Sequence, residues 1–438
     1  MHPRHPLLRF VRSWAVLAAL ALPAAASAAA VPAVSTASDA GRAITLDQAY
    51  AAALARSETV AEKGETYAQL RAQIDELWSA VQPRLELRGS QEWQDAGGGG
   101  GGFPIPTSQP TAALNAHQPL FSGLREYLAV RAGREESASA ELALARAKQL
   151  LYQDVAQAYL NLLGSHQDLR VRRAQVKLTG DRVKELEGFV RIGRSRTSEV
   201  LAARSQLAQN EADLATARGQ ERVYQETLQF LTGLDQDLLP SEVPPPGPAD
   251  ESSYLARAGS RPDVEAARRD LNYAGLYESM QSRQRWPTIG LDGNYYLKRP
   301  DNVYKHVRWD VTLSGTLPIY YGGEISAQVR QAEAQKRSKA LALSLARRQA
   351  ALDVRSAYSD LSSDLDIVAA LENAKSLAEA NAAAQEQDYR YGLVTNLDVL
   401  ASLTTVQDTN LRLDQARNAA YFARVRLEVA AGGPESAR

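Results

Sequence analysis

The sequence predicts a mainly α-helical protein that also carries transmembrane β-strands and is built from two pseudo-repeats. Three observations predict this fold class. One segment of the chain occurs twice, long stretches repeat apolar residues at heptad spacing, and shorter stretches alternate apolar with polar or small residues. A duplication indicates repeated units, a heptad indicates packed long helices, and an alternation indicates strands with one apolar face.

The duplication covers residues 119–233, which return without a gap 199 positions later, so that Asp154 corresponds to Asp353. Upstream of Pro83 the offset is 204, and the first copy therefore carries five extra residues. We place them in the glycine run 97–102. A segment that tolerates such a run is expected to be a solvated loop rather than packed core.

The chain is predicted to divide into six segments. They are a signal peptide (1–28), an N-terminal leader (29–43), repeat 1 (44–233), a Pro-rich linker (234–250), repeat 2 (251–432) and a C-terminal tail (433–438). Arg4, Arg9 and Arg12 precede an apolar stretch and a run of small residues, which is the pattern of an export signal. A membrane anchor is the alternative, but the stretch is too short to cross about 30 Å of hydrocarbon.

Each repeat is expected to contain a helix, a β-hairpin, a very long helix, a tight turn and a last helix. The helices are predicted at 45–81, 123–191 and 197–231 around a hairpin at about 83–121, and at 251–285, 325–390 and 397–430 around a hairpin at about 287–318. A helix of about 70 residues is about 100 Å long. Because the two shorter helices together match this length, we expect them to stack end to end beside the long one.

The last helix of repeat 1 carries an apolar stripe at every seventh position. Val200, Leu207, Leu214 and Leu228 form it, and Glu221 is the exception. A heptad stripe of this kind buries one seam against a neighbouring helix. The sequence therefore predicts coiled-coil-like columns.

The hairpin strands place apolar residues at every second position. The expected apolar face comprises Leu85, Leu87, Trp93, Leu114, Ile289, Leu291, Tyr295, Trp309, Val311 and Leu313. A half-buried sheet of a soluble protein gives the same alternation. The strands, however, have the roughly 10-residue length of transmembrane strands, and no element is left over to cover the face. We expect it to meet lipid, with aromatic side chains near the strand ends in interfacial girdles.

Four strands cannot close a barrel, because an open edge in hydrocarbon leaves backbone groups unpaired. Bacterial barrels use an even number of strands, from about 8 upward. Closure must therefore come from several subunits, and three copies supply twelve strands and twelve helical columns.

Composition argues against several function classes. The net charge is −1, cysteine is absent, and the five histidines lie far apart. We therefore expect no nucleic-acid partner, no metal site and no cofactor. Phosphate-loop and serine-triad motifs are also missing from the sequence, so the protein is not expected to be an enzyme.

Several duplicated motifs carry a resemblance to a known family. They are Gln118-Pro119-Leu120-Phe121 and Leu317-Pro318-Ile319-Tyr320 closing the hairpins, Arg261-Pro262-Asp263-Val264 at the start of repeat 2, and the turn segments 191–201 and 389–400. In this order they resemble the TolC-type outer-membrane efflux family over residues 44–432. The chain has no cysteine that could be acylated, and in this it resembles the non-lipidated branch of the family.

The resemblance implies a fold, a location and partners. The fold is a homotrimer with a single twelve-stranded β-barrel joined to a twelve-helix α-barrel. The barrel lies among the lipids of the outer membrane of a Gram-negative bacterium, and the helices cross the periplasm. The implied partners are a periplasmic adaptor (membrane fusion) protein and an inner-membrane pump of RND, ABC or MFS type.

The resemblance also implies a gated periplasmic mouth formed by the two helix turns. Carried over by position, Glu199 and Asp398 are the gate carboxylates and Tyr389 is the gate tyrosine. The sequence departs from the family pattern at Val394, where a gating arginine is expected, and at Ala401, where a second aspartate is expected.

The first turn offers two arginines that could replace the missing gate cation. Arg194 or Arg196 could pair with Asp398 or Glu199, or both arginines could simply be solvated. The turn tips themselves, which include Gly193, Thr197, Gly392 and Thr395, are expected to dock the adaptor. Both glycines suit a reversal between antiparallel helices, because such turns commonly need a left-handed residue.

The sequence suggests three functions. The sequence favours an outer-membrane channel-tunnel that conducts the substrates of a tripartite efflux pump or type I secretion system passively, through a gated mouth. The alternatives are a periplasmic coiled-coil scaffold or adaptor that never enters the membrane, and an exported enzyme. The transported substrate is not specified by the sequence.

Overall fold

Two helix–hairpin–helix repeats form the structure, a computed structural model that describes residues 42–95, 107–241, 250–300 and 304–433. Repeat 1 and the two strands that flank it comprise β1 (Arg42–Ile44), α1 (Leu46–Arg56), α2 (Glu58–Ser79), β2 (Arg84–Trp93), β3 (Ser108–Phe121), α3 (Arg125–Arg191), α4 (Thr197–Thr232) and β4 (Leu238–Pro240). Repeat 2 contains α5 (Glu251–Ala258), α6 (Pro262–Ser282), β5 (Thr288–Lys298), β6 (Trp309–Thr316), α7 (Glu324–Arg390) and α8 (Asn396–Ala430). The predicted signal peptide, the glycine run and residues 242–249 of the predicted linker lie outside the described residues.

The single helix predicted at 45–81 is wrong, because the chain breaks at Ser57. The backbone of Ser57 is extended (φ −60°, ψ 109°), which ends α1. Its hydroxyl oxygen then accepts a hydrogen bond from the Val60 amide at 3.3 Å and caps α2. A serine that caps a second helix satisfies an amide that would otherwise lack a partner at the break.

The single helix predicted at 251–285 is also wrong. α5 ends at Ala258, α6 begins at Pro262, and a short 3₁₀ turn follows at Arg283–Arg285. Proline lacks the amide hydrogen that a helix interior requires, and it disfavours the helical conformation in the residue before it. Arg261 accordingly has φ −59° and ψ 140°, and Pro262 occupies the first turn of α6, where proline is tolerated.

The predicted leader and linker contain strands that the sequence did not reveal. β1 and β4 form a two-stranded parallel sheet, with Arg42 opposite Leu238 and Ile44 opposite Pro240. The hydroxyl of Tyr159, a buried residue of α3, joins the strand ends. It lies 3.0 Å from the Ile44 carbonyl oxygen and accepts a hydrogen bond from the Ser241 amide at 2.8 Å.

The helices pack as parallel columns, which is the arrangement that their lengths predict. α2 and α4 both pack along α3, whereas α6 and α8 both pack along α7. The shorter helices of each repeat also meet, because α1 contacts α4 in repeat 1 and α5 contacts α8 in repeat 2. α3 also packs against α6 and α8, so the two repeats lie side by side. No helix of the described residues is long and apolar enough to cross a membrane.

The heptad stripe of α4 is the seam with α3. Val200, Leu214 and Leu228 are buried there, and Leu207 packs against the same seam. A buried polar pair interrupts the apolar contacts, since the side-chain amide of Asn210 donates to the Thr179 hydroxyl at 2.9 Å. A satisfied buried amide of this kind favours one register of two packed helices.

The four long strands form one antiparallel sheet in the order β2-β3-β5-β6. Each hairpin supplies two neighbouring strands, and the hairpins join through β3 and β5. β2 and β6 are therefore the two edges of the sheet. In the described chain neither edge has a further strand to pair with.

Candidate functional site

The two turns at the far ends of the long helices share one backbone design. Gly193 and Gly392 both have φ +73°, a left-handed conformation that strains any residue with a Cβ atom. The amide after each glycine closes the helix, from Arg194 to the Phe189 carbonyl at 2.8 Å and from Leu393 to the Asp388 carbonyl at 3.0 Å. Such 6→1 bonds satisfy carbonyl groups that a helix end leaves open.

The two turns differ in how the next helix begins. The Thr395 hydroxyl accepts from the Asp398 amide at 3.4 Å, and the Asp398 carboxylate accepts from the Thr395 amide at 2.8 Å. This capping box starts α8. Hydrogen bonds from the side chain and backbone of Thr395 hold the pKa of Asp398 below its ordinary value. Arg196, the counterpart of Thr395 in repeat 1, makes no side-chain cap on α4.

The predicted gate carboxylate of the first turn, Glu199, has a local hydrogen-bond partner. Glu199 accepts a hydrogen bond from the Ser195 hydroxyl at 2.6 Å. Among the described residues, neither Arg194 nor Arg196 forms an ion pair with Glu199 or Asp398. The predicted docking residues, Gly193, Thr197, Gly392 and Thr395, are all exposed.

Tyr389 contacts an arginine that the sequence analysis missed. The guanidinium carbon of Arg182, on α3, lies 4.4 Å from the centre of the Tyr389 ring. Arg182 Nε also donates to the Asn396 side-chain oxygen, and its Nη1 donates to Glu185 Oε2 at 2.5 Å. In the sequence, one feature distinguishes Arg182: it differs from its counterpart in the other repeat, which is Asn381.

A cavity of about 770 Å³ lies beside this contact. Its walls come from the ends of α3 and α7 and from the start of α8, and they include Arg182, Arg194, Tyr389 and Val394. Arg182 is the most enclosed charged residue of its walls, with 13% of its side chain exposed. Its Nη2 atom is buried without a hydrogen-bond partner among the described residues.

At the other end of the columns, the sheet carries one apolar face. Leu87 pairs with Leu114, Leu114 with Tyr295, and Tyr295 with Trp309, so one apolar row crosses all four strands. Leu85, Val311 and Leu313 extend this face, on which Leu87 is 71% exposed and Trp309 65% exposed. Trp93, Ile289 and Tyr295 are also exposed, whereas Leu291 is half-buried. The structure thus places all the predicted lipid-facing residues on one face.

The opposite face of the sheet is polar. Glu86, Asn115, Asn294 and Asp310 form a row across the four strands. The Asn294 side-chain amide donates to the Asp310 carboxylate at 2.8 Å, and a hydrogen bond also joins Asn115 to Asn294. The next row brings His117 Nδ1 within 2.6 Å of Asp292 Oδ1. The sheet therefore separates an apolar surface from a charged and hydrogen-bonded one.

Comparison with known proteins identifies the family. The family model described as "Outer membrane efflux protein" matches residues 49–234 and 255–433. The chain is 24% identical over 374 residues to "Outer membrane protein TolC" of Escherichia coli (strain K12), covering 78% of this chain and 73% of that protein. It is 24% identical over 330 residues to "Outer membrane efflux protein BepC" of Brucella suis, covering 74% of this chain and 72% of that protein.

Solved structures show the same fold. A crystal structure of CusC, whose study concerns transmembrane channel formation, superimposes with a TM-score of 0.78 at 20% identity, covering 89% of this chain and 92% of that one. The chain belongs to the outer membrane efflux protein family.

Proposed function

We propose that three copies of this chain form an exit duct, in which a twelve-stranded β-barrel crosses the outer membrane and continues into a helical tunnel. Efflux is the function for which the family is named, and relatives of the chain are outer membrane proteins. The family is named for transport rather than for catalysis, and the alternative of a periplasmic scaffold outside the membrane gains no support from these relatives.

The observation that carries this proposal is the two-faced, open-edged sheet. Its apolar row reaches both edge strands, β2 and β6, so no side of the face is closed off by polar residues. Unpaired strand edges are not tolerated in hydrocarbon. If the apolar face meets lipid, each edge must pair with an edge of another copy, and the polar face then lines a water-filled bore.

The internal repeat predicts the register of that closure. Inside the chain, β3 of repeat 1 pairs with β5 of repeat 2, and Asn115 stands opposite Asn294. Replacing each residue by its counterpart in the other repeat gives Ser314 of β6 opposite Ser90 of β2 in a neighbouring copy. The contact within one chain thus serves as the template for the contact between chains.

Exposed apolar residues on the helices also support contacts between copies. On α8, Phe422 and Val429 pack into the core cluster that α3 shares with α1. Their counterparts on α4, Val223 and Phe230, are 56% and 74% exposed. The counterpart of α3 is α7, which exposes Leu341, Leu345 and Leu352. We therefore pair α4 of one copy with α7 of the next, so that these apolar side chains become buried.

The tips of the helix pairs then ring the periplasmic mouth of the tunnel. Glu199 and Asp398 place carboxylates there, and because neither Arg194 nor Arg196 pairs with them among the described residues of one chain, we assign these ion pairs to contacts between neighbouring copies. The exposed turn glycines and threonines are the surface on which a periplasmic adaptor docks, and an inner-membrane pump of RND, ABC or MFS type supplies the energy. Conduction through the duct itself is passive.

Disulfide cross-linking tests the register, and the cysteine-free chain gives a clean background. Residues directly opposite on antiparallel strands lie about 4.5–5.5 Å apart, within disulfide reach. We expect the double variant Ser90→Cys, Ser314→Cys to yield covalently linked trimers in outer-membrane fractions. The control pair Ser90→Cys, Asp310→Cys is displaced by about 13 Å along the strand and should not link. Linkage in the control alone, or a chain that fractionates as soluble, contradicts the proposal.

A further inference from the structure

Repeat 2 holds a buried arginine at the break between α5 and α6. The guanidinium of Arg261 donates to Asp353 Oδ2 at 2.8 Å, to both carboxylate oxygens of Asp263 and to the Ala430 carbonyl oxygen at 3.3 Å. Asp353 also accepts a hydrogen bond from Gln349 Nε2 at 2.8 Å. The repeated backbone can therefore hold a guanidinium group against the aspartate of its long helix.

Repeat 1 keeps the aspartate of this cluster but not the arginine. Asp154 is the counterpart of Asp353, whereas Ser57 stands at the position of Arg261 and Leu150 at that of Gln349. The Ser57 hydroxyl is used in the cap of α2. Among the described residues Asp154 has no hydrogen-bond or ion-pair partner, and partial burial raises the pKa of its carboxyl group. A cation beside this carboxylate stabilises its charged form.

A cavity of about 940 Å³ lies at this place in repeat 1, between α2, α3, α4 and α6. Its walls contain the counterpart of each residue in the arginine cluster, namely Ser57, Thr59, Leu150, Asp154 and Leu231. Leu150 is 43% exposed there, and Leu151 extends the apolar wall. The cavity thus combines one carboxylate without a partner with apolar side chains, a combination typical of small-molecule sites.

The other charged groups of the walls do not neutralise Asp154. Asp263 is held by Arg261, and Asp270 accepts from Lys339 Nζ at 2.8 Å. The cationic residues of the walls are Arg56, Lys63 and Arg146. In the part of the chain that the structure describes, none of these three forms an ion pair with Asp154.

We propose that this cavity binds an amphiphilic organic cation, with its amidinium, guanidinium or ammonium group on Asp154 and its apolar body on Leu150, Leu151 and Leu231. The ligand supplies the group that Arg261 supplies in repeat 2. Planar forks of N–H donors pair bidentately with carboxylates. Phe230, assigned above to the seam between copies, borders the same cavity. The inference goes beyond the proposed duct, because pairing with Asp154 requires neither a β-barrel nor conduction.

Isothermal titration calorimetry of the purified full-length protein in a non-ionic detergent tests the site. The probe is benzamidine, and benzamide is its uncharged analogue of nearly the same shape. We expect benzamidine to bind with a dissociation constant of about 1 mM, which is usual for so small a ligand, and benzamide to bind about tenfold more weakly or not at all. Asp154→Asn should weaken benzamidine binding by about tenfold or more. Glu62→Gln, at an exposed carboxylate of α2 outside the cavity walls, is the matched control and should bind like the wild type.

The residues of repeat 2 provide a second test. The double variant Ser57→Arg, Thr59→Asp introduces the counterparts Arg261 and Asp263 into repeat 1. Its new arginine should pair with Asp154, occupy the cavity and abolish benzamidine binding. Circular dichroism establishes that this variant is folded.

Each outcome bears on the site. Equal affinity for benzamidine and benzamide, unchanged affinity in Asp154→Asn, or an equal loss in Glu62→Gln contradicts it, as does a wild-type protein that binds no benzamidine. Retained binding in the folded double variant also overturns it. If that variant does not fold, Asp154→Asn and the benzamide comparison decide. A protein that binds benzamidine but forms no channel contradicts the duct and leaves the site intact.

Discussion

His166 Nε2 lies 3.2 Å from Glu221 Oε1 across the seam between α3 and α4. Glu221 is the one position at which the apolar heptad stripe of α4 fails. Both side chains are roughly three-quarters buried, so this contact replaces an apolar one and leaves neither group without a partner.

We predict that Glu221→Leu completes the stripe and stabilises the seam by about 1 kcal/mol, because burial of a leucine side chain outweighs a partly solvated polar contact. The midpoint temperature of thermal unfolding, followed by circular dichroism, measures this effect. Glu211→Leu, on an exposed position of the same helix, is the control and should leave that temperature unchanged. A lower unfolding temperature for Glu221→Leu contradicts the prediction.

Arg261 anchors the end of α8 to the start of repeat 2. Its guanidinium, 3% exposed, donates to Asp353 at 2.8 Å, to both carboxylate oxygens of Asp263 at 2.7 and 2.8 Å, and to the Ala430 carbonyl at 3.3 Å. We expect Arg261→Ala to cost about 3 kcal/mol of unfolding free energy, because it leaves two carboxylates and a helix-end carbonyl without their partner. Chemical denaturation followed by circular dichroism measures the loss, with exposed Arg337→Ala as the control.

The same cluster makes stability depend on pH. Burial by itself raises the pKa of Asp263, but hydrogen bonds and charge attraction from Arg261 outweigh it, and the pKa lies below its ordinary value. A carboxyl group whose pKa is lowered by folding contributes stability above its unfolded pKa, and this contribution is lost as the pH falls through the folded pKa. We therefore expect wild-type stability to decline below about pH 4. Arg261→Ala should decline less steeply, and an equally steep decline contradicts the assignment.

The two turns offer a test by exchange of their caps. Thr395→Ala removes the cap of α8 and should cost that helix about 1 kcal/mol. Arg196→Thr places a threonine three residues before Glu199 and should create on α4 a capping box like that of α8. Hydrogen exchange of the first-turn amides should become faster in the first variant and slower in the second. Unchanged exchange in both variants means that the side-chain caps do not limit opening of the tips.

Adjacent residues of β6 test which face meets lipid. Val311 belongs to the apolar face and Thr312 to the polar one. An arginine on the lipid face near the bilayer midplane costs about 2–4 kcal/mol, whereas a bore-facing arginine mainly alters conduction. We expect Val311→Arg to reduce the yield of folded outer-membrane trimers and Thr312→Arg to assemble with altered ion selectivity. Reduced assembly by Thr312→Arg alone would reverse the assignment of the two faces.

The features that could be predicted from the sequence were those encoded by periodicity. The seven-residue spacing of Val200, Leu214 and Leu228 located a buried seam, and the alternation around Leu87 and Val311 located one face of a sheet. Breaks within long helical patterns were missed, because Ser57 and Pro262 interrupt the backbone without interrupting the apolar pattern on either side.

The candidate site was less predictable, since its contacts are made between segments far apart in sequence. Arg182 and Tyr389 lie more than two hundred positions apart, and no spacing rule links them. The short strands around Ile44 and Leu238 were missed for the same reason: a parallel pair of three residues on each side has no periodicity of its own, and its position depends on the Tyr159 hydroxyl.

The pairing of β1 with β4 means that the chain enters and leaves repeat 1 at the same place. The two ends of that repeat are fastened to each other and to Tyr159, independently of residues 242–249, which connect them to repeat 2. Packing of α3 against α6 and α8, together with the pairing of β3 and β5, joins the described parts of the two repeats. Two separately exported fragments, divided within residues 242–249, are therefore expected to assemble with each other and form a working duct.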